Sequence, residues 1–449
     1  MRKHRTFLTT THIILLSFLA AILVGTVLLS LPISTASNKS VGLVDAFFTA
    51  TTSVCVTGLV TLPTFSTWSV FGQVVILVLI QIGGLGVITV MSAFALFINK
   101  RMGLKKSLVL QDAFNLNTLF GMSSFIKKVV LGTLAVEAVG AVLYMTVFVK
   151  DFGVRGIWIS IFNSVSAFCN AGIDIIGADS LAGYTNNVAV NLITSCLIIL
   201  GGIGYIVWWD VIRVIKDRKK KRFSRLTLHS KIAISTTFVL LISGTVLFFL
   251  FEYNNPDTIA NLSFFEKIQA SFFQSVTTRT AGFYTLPQQN FCDASALLSV
   301  FLMFVGGSPS GCAGGVKTVT VAVLVFFALS GVKNKNDTVF FGRSITKDVL
   351  NKAFVVVSVS FVTAVISLFA LLVFADINFV DALYECVSAV ATVGLSRDVT
   401  PYLNTASKIV IALTMYAGRV GPISLAVMFK VGNKRENIIK CPVEEISVG

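Results

Sequence analysis

Thr51-Thr52-Ser53-Val54-Cys55-Val56-Thr57-Gly58-Leu59 has three counterparts further along the chain. They are Ser166-Ala167-Phe168-Cys169-Asn170-Ala171-Gly172-Ile173, Ser275-Val276-Thr277-Thr278-Arg279-Thr280-Ala281-Gly282-Phe283 and Ser388-Ala389-Val390-Ala391-Thr392-Val393-Gly394-Leu395. Each is a run of small or polar residues that ends in one glycine followed by a large apolar residue. Each also has an aromatic ten positions before that glycine: Phe48, Phe162, Phe272 and Tyr384. The glycines are spaced by 114, 110 and 112 residues. Such a period is too long for a solenoid and predicts four copies of one membrane unit.

Composition sets the solvent. Of 449 residues, 55% are hydrophobic and only 13% charged, which excludes an ordinary soluble domain and predicts an all-α integral membrane protein. Ile13 to Leu31 is 19 residues without a charge, close to the ~20 that a helix needs to cross ~30 Å of hydrocarbon. It is too long for a cleavable signal and lacks a small-residue cleavage site, so it reads as a retained first span.

The net charge of +15 falls in the connections between repeats. Met1-Arg2-Lys3-His4-Arg5, Lys100-Arg101, Lys105-Lys106, Lys127-Lys128, the run Lys216 to Arg225 and the stretch Lys333 to Lys352 share one side if each repeat crosses twice. That is the positive-inside pattern. It predicts a multi-pass protein of the cell membrane, in contact with lipid and with both termini cytoplasmic. No aromatic platform accompanies the basic residues, which argues against a nucleic-acid partner. The opposite side carries Asp45, Asp174, Asp179, Asp257, Asp293, Asp376 and Asp381, a mildly acidic mouth that favours approaching cations. Seven cysteines without CxxC spacing support neither a disulfide framework nor a transition-metal site.

Each repeat reads as helix, half-helix, loop, helix, with repeats over 1–100, 101–222, 223–335 and 336–449. First spans are expected at 13–31, 129–149, 232–251 and 353–375. Half-helices are expected at about 44–54, 156–168, 263–277 and 380–390, too short to cross the bilayer. They must enter from outside and return, which is permitted only where protein or a water-filled cavity covers the backbone. Return spans are expected at 70–98, 188–212, 294–330 and 409–429. The third is interrupted by Gly306-Gly307-Ser308-Pro309-Ser310-Gly311-Cys312-Ala313-Gly314-Gly315, which cannot remain a regular helix. Glu137 and Arg419 are single charges inside otherwise apolar spans. Glu137 is read equally well as functional or as a helix-helix hydrogen bond.

Four half-helices can point their C-terminal ends at a common axis, where each contributes roughly half a negative charge. Beyond each end the chain would run extended with carbonyls turned inward, and glycine permits conformations that a side chain obstructs. Four such strands around a pseudo-fourfold central pore make an oxygen ring able to replace the hydration shell of potassium. The alternative for any single glycine is helix packing. Four at one period favour the ring.

These residues resemble the selectivity-filter segments of the Trk/Ktr/HKT superfamily of potassium transporters. The resemblance covers nearly the whole chain and is nearest to the membrane subunit of bacterial Ktr uptake systems, through Gln81-Ile82-Gly83-Gly84-Leu85-Gly86, the glycine-rich break and the short basic tail. It implies ion-binding backbone oxygens at Val56, Thr57, Gly58, Asn170, Ala171, Gly172, Thr280, Ala281, Gly282, Thr392, Val393 and Gly394. Glycine at 58, rather than serine, implies potassium over sodium. Arg279 would brace the filter by pairing with an acid behind it. A gate beneath the filter would comprise Gly306, Gly307, Ser308, Pro309, Ser310, Gly311, Cys312, Ala313, Gly314 and Gly315 together with Arg419. Cys312 stands where a small hydroxyl residue is usual. The resemblance further implies a homodimer resting on a cytosolic nucleotide-binding regulatory ring of the KtrA/KtrC type, with nucleotide bound by that partner, and sodium as a possible activator. The tail Lys434-Arg435-Glu436-Asn437 could dock the ring.

Two other readings compete. Gly314-Gly315-Val316-Lys317-Thr318 looks like the end of a phosphate-binding loop, but Val316 intervenes before the lysine and no strand precedes it, so no enzyme activity is expected. A coupled cation symporter with alternating access would use broken helices at mid-membrane. Adjacent repeats share one topology rather than an inverted one, which favours a pore.

Overall fold

The computed structural model describes residues 10–97, 122–217, 223–334 and 337–421. Long helices form where the sequence offers uninterrupted apolar runs: Thr10–Leu29, Met122–Phe152, Leu228–Glu252 and Lys347–Phe374. Twenty residues at 1.5 Å each give about 30 Å, the thickness of the hydrocarbon layer. At most a third of each membrane-length window is buried within the protein, and Leu16, Leu23, Val24 and Val27 are exposed on the first helix. Apolar surface on that scale belongs in lipid. The helix count, the apolar faces and the near absence of strand make this a multi-pass, all-α membrane protein. A two-residue hairpin, Val339–Phe340 against Arg343–Ser344, is the only sheet among the described residues.

A short helix follows each long one: Leu43–Cys55, Arg155–Cys169, Phe264–Thr277 and Phe379–Ala391. These are 13–15 residues long, about 20 Å, and their last turns are buried. Ser263 and Glu266 start the third with a reciprocal capping box, which satisfies amides that the first turn would leave free. Asp45, Glu266 and Asp381 sit in first turns, and no last turn carries a basic residue, so the partial negative charge at the inner ends is not neutralised there. Three of these helices end when the next residue turns left-handed: Val56, Asn170 and Thr392, with φ of 55°, 60° and 51°. The amides of Val56 and Thr57 then bond Ser53 O and Thr52 O at 3.2 and 2.9 Å, closing the helix end from within. The third helix adds two residues before Thr280 turns, at φ 67°.

The return spans depart from the sequence reading. Only the third was expected to break, yet the first is divided into Val70–Leu85 and Val87–Phe97. The second is divided into Val188–Ile203 and Tyr205–Lys216, bent by 98°. Gly86 and Gly204 sit at the breaks with φ of 85° and 92°, and Gly421 ends Thr405–Val420 at 94°. A left-handed residue cannot continue a right-handed helix. The third return span runs as Asp293–Phe304 and Thr318–Val332 with the glycine-rich loop between. The remainder of the fourth span, Cys441, the basic termini and Lys434–Asn437 lie outside the described residues.

Glu137 is held between repeats: Gln81 Nε2 donates to its carboxylate at 3.2 Å, and Ser164 Oγ to its backbone oxygen at 2.7 Å.

Candidate ion-binding site

The four glycines meet. A Cβ added to Gly58 would lie 2.6 Å from Ala171 O, and one on Gly172 would lie 2.6 Å from Gly282 Cα and 2.7 Å from Ala281 O. On Gly282 it would lie 2.6 Å from Val393 O, and on Gly394 2.1 Å from Thr57 O and 2.8 Å from Gly58 Cα. The ring closes in chain order, and each member presses on the carbonyl that precedes the next glycine. All four adopt left-handed φ, at 101°, 65°, 83° and 97°. Both the space and the dihedral therefore require glycine.

The polar residues that mark the repeated stretches hold this ring. Gly58 N donates to Thr52 Oγ1 and Gly394 N to Ser388 Oγ, each at 3.0 Å. Ser166 Oγ accepts from Ile173 N at 3.2 Å and donates to Ile173 O at 2.5 Å. Val276 takes the corresponding place in the third repeat, and there Thr277 Oγ1 donates to Phe283 O instead. These side chains tie the extended strand to the helix before it, so the carbonyl positions are set before any ion arrives. Buried polar atoms also remain without a protein partner at the ring: Thr57 Oγ1, Thr280 Oγ1, Thr392 Oγ1 and the Asn170 amide. Polar groups in that state cost free energy unless a mobile polar species meets them.

Against one side of the ring lies the glycine-rich loop. A Cβ on Gly314 would fall 1.9 Å from Thr392 Oγ1. The loop is fastened to the break of the second repeat: Ser308 N donates to Gly202 O at 2.8 Å, Cys312 N to Gly201 O at 3.0 Å, and Tyr205 N to Ser310 O at 3.0 Å. Lys317 Nζ donates to Ala313 O at 2.6 Å. From the fourth repeat, Arg419 donates to Cys312 O at 2.6 Å and to the carbonyls of Gly83 and Gly84. One guanidinium thus joins the loop to the first repeat.

Residues 4–440 match the family described as cation transport protein, TrkH. The chain belongs to that family. It is 37% identical to the potassium/sodium uptake protein NtpJ of Enterococcus hirae, covering 100% of this chain and 99% of that one. It is 35% identical to the Ktr system potassium uptake protein B of Bacillus subtilis, covering 98% and 97%. The crystal structure of the potassium transporter TrkH from Vibrio parahaemolyticus superposes with a TM-score of 0.74 over 96% of this chain and 87% of that one, at 18% identity, and shares the fold.

On the side away from the glycine-rich loop, the ring opens into a cavity of about 530 Å³ lined by all four glycines together with Asp174, Asp179, Gln288 and Asp398. Two of the expected mouth carboxylates are otherwise engaged: Asp45 pairs with Lys408 and Asp381 with Arg397, both at 2.7 Å. Asp398, not among the acids expected at this mouth, takes their place. Burial pushes the Asp174 carboxyl up to about 6. It is charged above that pH and neutral below it, so its attraction for cations fades as the medium that fills this cavity is acidified. Cation uptake at low concentration should fall about two- to fivefold between about pH 7 and pH 5, since one charge contributes ~1 kcal/mol at 4 Å in water. Asp174→Asn should show the lower uptake at both values, as read from flux against cation concentration.

The expected acid partner of Arg279 is not there. Among the described residues no carboxylate pairs with it. Its NH2 donates to Thr237 Oγ1 at 3.3 Å and its Nε has no hydrogen-bond partner. It lies just beyond the helix end Thr277, where a cation is favoured by the dipole without a carboxylate.

One sequence signal went unread. Gly83-Gly84-Leu85-Gly86, Gly201-Gly202-Ile203-Gly204 and Gly418-Arg419-Val420-Gly421 are the same motif. Added Cβ atoms on Gly83, Gly201 and Gly418 would meet Val54 O, Phe168 O and Val390 O at 2.1, 1.8 and 2.0 Å. Each partner lies four residues before a ring glycine. The motif lets the return span press against the end of the short helix, and Arg419 occupies the place that Gly84 and Gly202 hold elsewhere.

Proposed function

We propose that this chain is a potassium uptake protein whose backbone oxygens form a selectivity filter at Val56, Thr57 and Gly58, Asn170, Ala171 and Gly172, Thr280, Ala281 and Gly282, and Thr392, Val393 and Gly394. The observation that carries this reading is the mutual approach of four left-handed glycines, each against its neighbour's carbonyl. Such a ring replaces the water around an alkali cation, and the ends of the first, second and fourth short helices, with no basic residue in their last turns, favour positive charge at its centre. The chain divides functionally into repeats 1–100, 101–222, 223–335 and 336–449, each contributing one quarter of the filter. Potassium is the substrate and moves inward down the membrane potential, worth ~2.3 kcal/mol per 100 mV. No chemical step by this chain is needed, so it is not an enzyme. The named relatives take up potassium, and one potassium and sodium.

The loop from Gly306 to Gly315 and Arg419 form the gate, because the loop lies under the ring and Arg419 holds it. The protein works in the cell membrane with its basic connections inside, as a homodimer on a cytosolic nucleotide-binding ring; relatives named as proteins of a Ktr system support association with other subunits. Potassium-limited growth of an uptake-deficient strain tests the whole reading. The wild-type chain should restore growth. Gly58→Ser should lower preference for potassium over sodium about tenfold or more, ~1.4 kcal/mol, in competition flux. Unchanged preference would remove the filter assignment.

A further inference from the structure

The fourth short helix, Phe379–Ala391, holds the wall of the cavity as well as the ring. Beyond Gly394 the chain runs through Ser396 and Asp398 to Thr400, and all three line the cavity into which the ring opens. Ser396 Oγ accepts from Val399 N at 3.2 Å, which folds this segment into a turn. Thr400 Oγ1 then donates to Oε1 of Glu385, nine residues before Gly394 on the short helix. The segment is thus tied to one helix twice, at its start by Ser388 Oγ on Gly394 N and at its far end by Glu385. Asp381, one turn earlier on that helix, holds Arg397 of the same segment. Tyr384 OH donates at 2.9 Å to Gln288, which stands six residues after Gly282 as Thr400 stands six after Gly394.

Stability does not require a carboxyl at this place. Glu385 has a relative exposure of 0%, and its Oε2 has no hydrogen-bond partner among the described residues. Thr49, Asn163 and Phe273 take the same position in the other repeats, so the carboxyl belongs to the fourth alone. A buried polar oxygen left unmatched lowers stability, and apolar side chains of similar shape at both 385 and 400 would be nearly neutral. What sets the pair apart is the place of Thr400 on the cavity wall.

We propose that Glu385 is a positioning residue for ion preference: through Thr400 it fixes the segment that follows Gly394, and with it the fourth quarter of the ring. This role rests on the filter proposed above and names a further residue on which its preference depends. Gly394 sits against Thr57 O, so slack in the segment leaving it changes the size of the ring where the fourth repeat meets the first. Glu385 touches no ion. It acts by accepting the Thr400 hydroxyl, which the side-chain oxygen of a glutamine can also do.

The test uses full-length variants in liposomes, with rubidium flux measured in competition with sodium, and thermal melting of the same purified proteins. The double variant Glu385→Met with Thr400→Val should melt as the wild type does, because both partners become apolar, yet lose preference for rubidium about fivefold or more. Glu385→Gln should keep the wild-type preference. Unchanged preference in the double variant would overturn the positioning role. So would an equal loss in Glu385→Gln, which would assign the effect to charge. If the double variant does not fold, Thr400→Val alone decides by the same loss or its absence. Gly58→Ser separates this role from the filter: a shift there without one in the double variant removes Glu385 only, and no shift in either removes the filter as well.

Discussion

Gly394→Ala should reduce potassium uptake about a hundredfold or more while leaving the protein in the membrane. The new methyl group would sit 2.1 Å from Thr57 O and 2.8 Å from Gly58 Cα, distances that two backbones cannot absorb without moving. The φ of 97° adds strain that only glycine avoids. A shift of 1 Å in one quarter of a ring changes the coordination of the ion at the centre, and ~2.7 kcal/mol on its free energy already gives a hundredfold change. Gly331, beside which an added Cβ meets nothing within 4 Å, provides the control: Gly331→Ala should transport normally. Rubidium flux into liposomes, normalised to protein incorporated, measures both. Equal flux from the two variants would mean that the ring of glycines is packing and nothing more.

Arg419→Ala should act in the opposite direction and raise flux. The side chain joins three carbonyls, one on the loop and two on the first repeat. Hydrogen bonds to a charged group contribute ~1.5–3 kcal/mol each. Losing even one such bond from a closed state would raise a small open fraction about tenfold at the least. Arg419→Lys should fall between, because a single ammonium cannot span carbonyls on both sides. Shortening the loop within 306–315 should mimic the alanine. Wild-type flux from normally expressed Arg419→Ala would remove the gate.

Much of this was legible in the sequence because lipid leaves few choices. The short helices fall within one residue of the expected half-helices, and the long helices contain most of the expected first spans but begin up to seven residues earlier. Each of the stretches beginning at Thr51, Ser166, Ser275 and Ser388 carries its helix end, its left-handed turn and its glycine in order. What stayed hidden depended on contacts across repeats. Gly86 and Gly204 lie in apolar runs and take φ of 85° and 92°, and at Gly204 the carbonyl of Pro309 in the loop leaves no room for a side chain. The pattern Gly-Gly-x-Gly was visible, but its meaning required seeing Gly201 against Phe168 O. For Arg279, sequence spacing cannot say which neighbour faces a side chain, and the neighbour proved to be Thr237. Likewise, Asp45 and Asp381 looked available at the mouth until their pairing with Lys408 and Arg397 was seen.

Anomalous diffraction from crystals grown in rubidium in place of potassium tests the filter most directly. A peak should lie on the axis enclosed by Gly58, Gly172, Gly282 and Gly394, coordinated by the backbone oxygens of Thr57, Ala171, Ala281 and Val393. Rubidium found only elsewhere in the membrane, with that axis empty, would contradict the proposed filter.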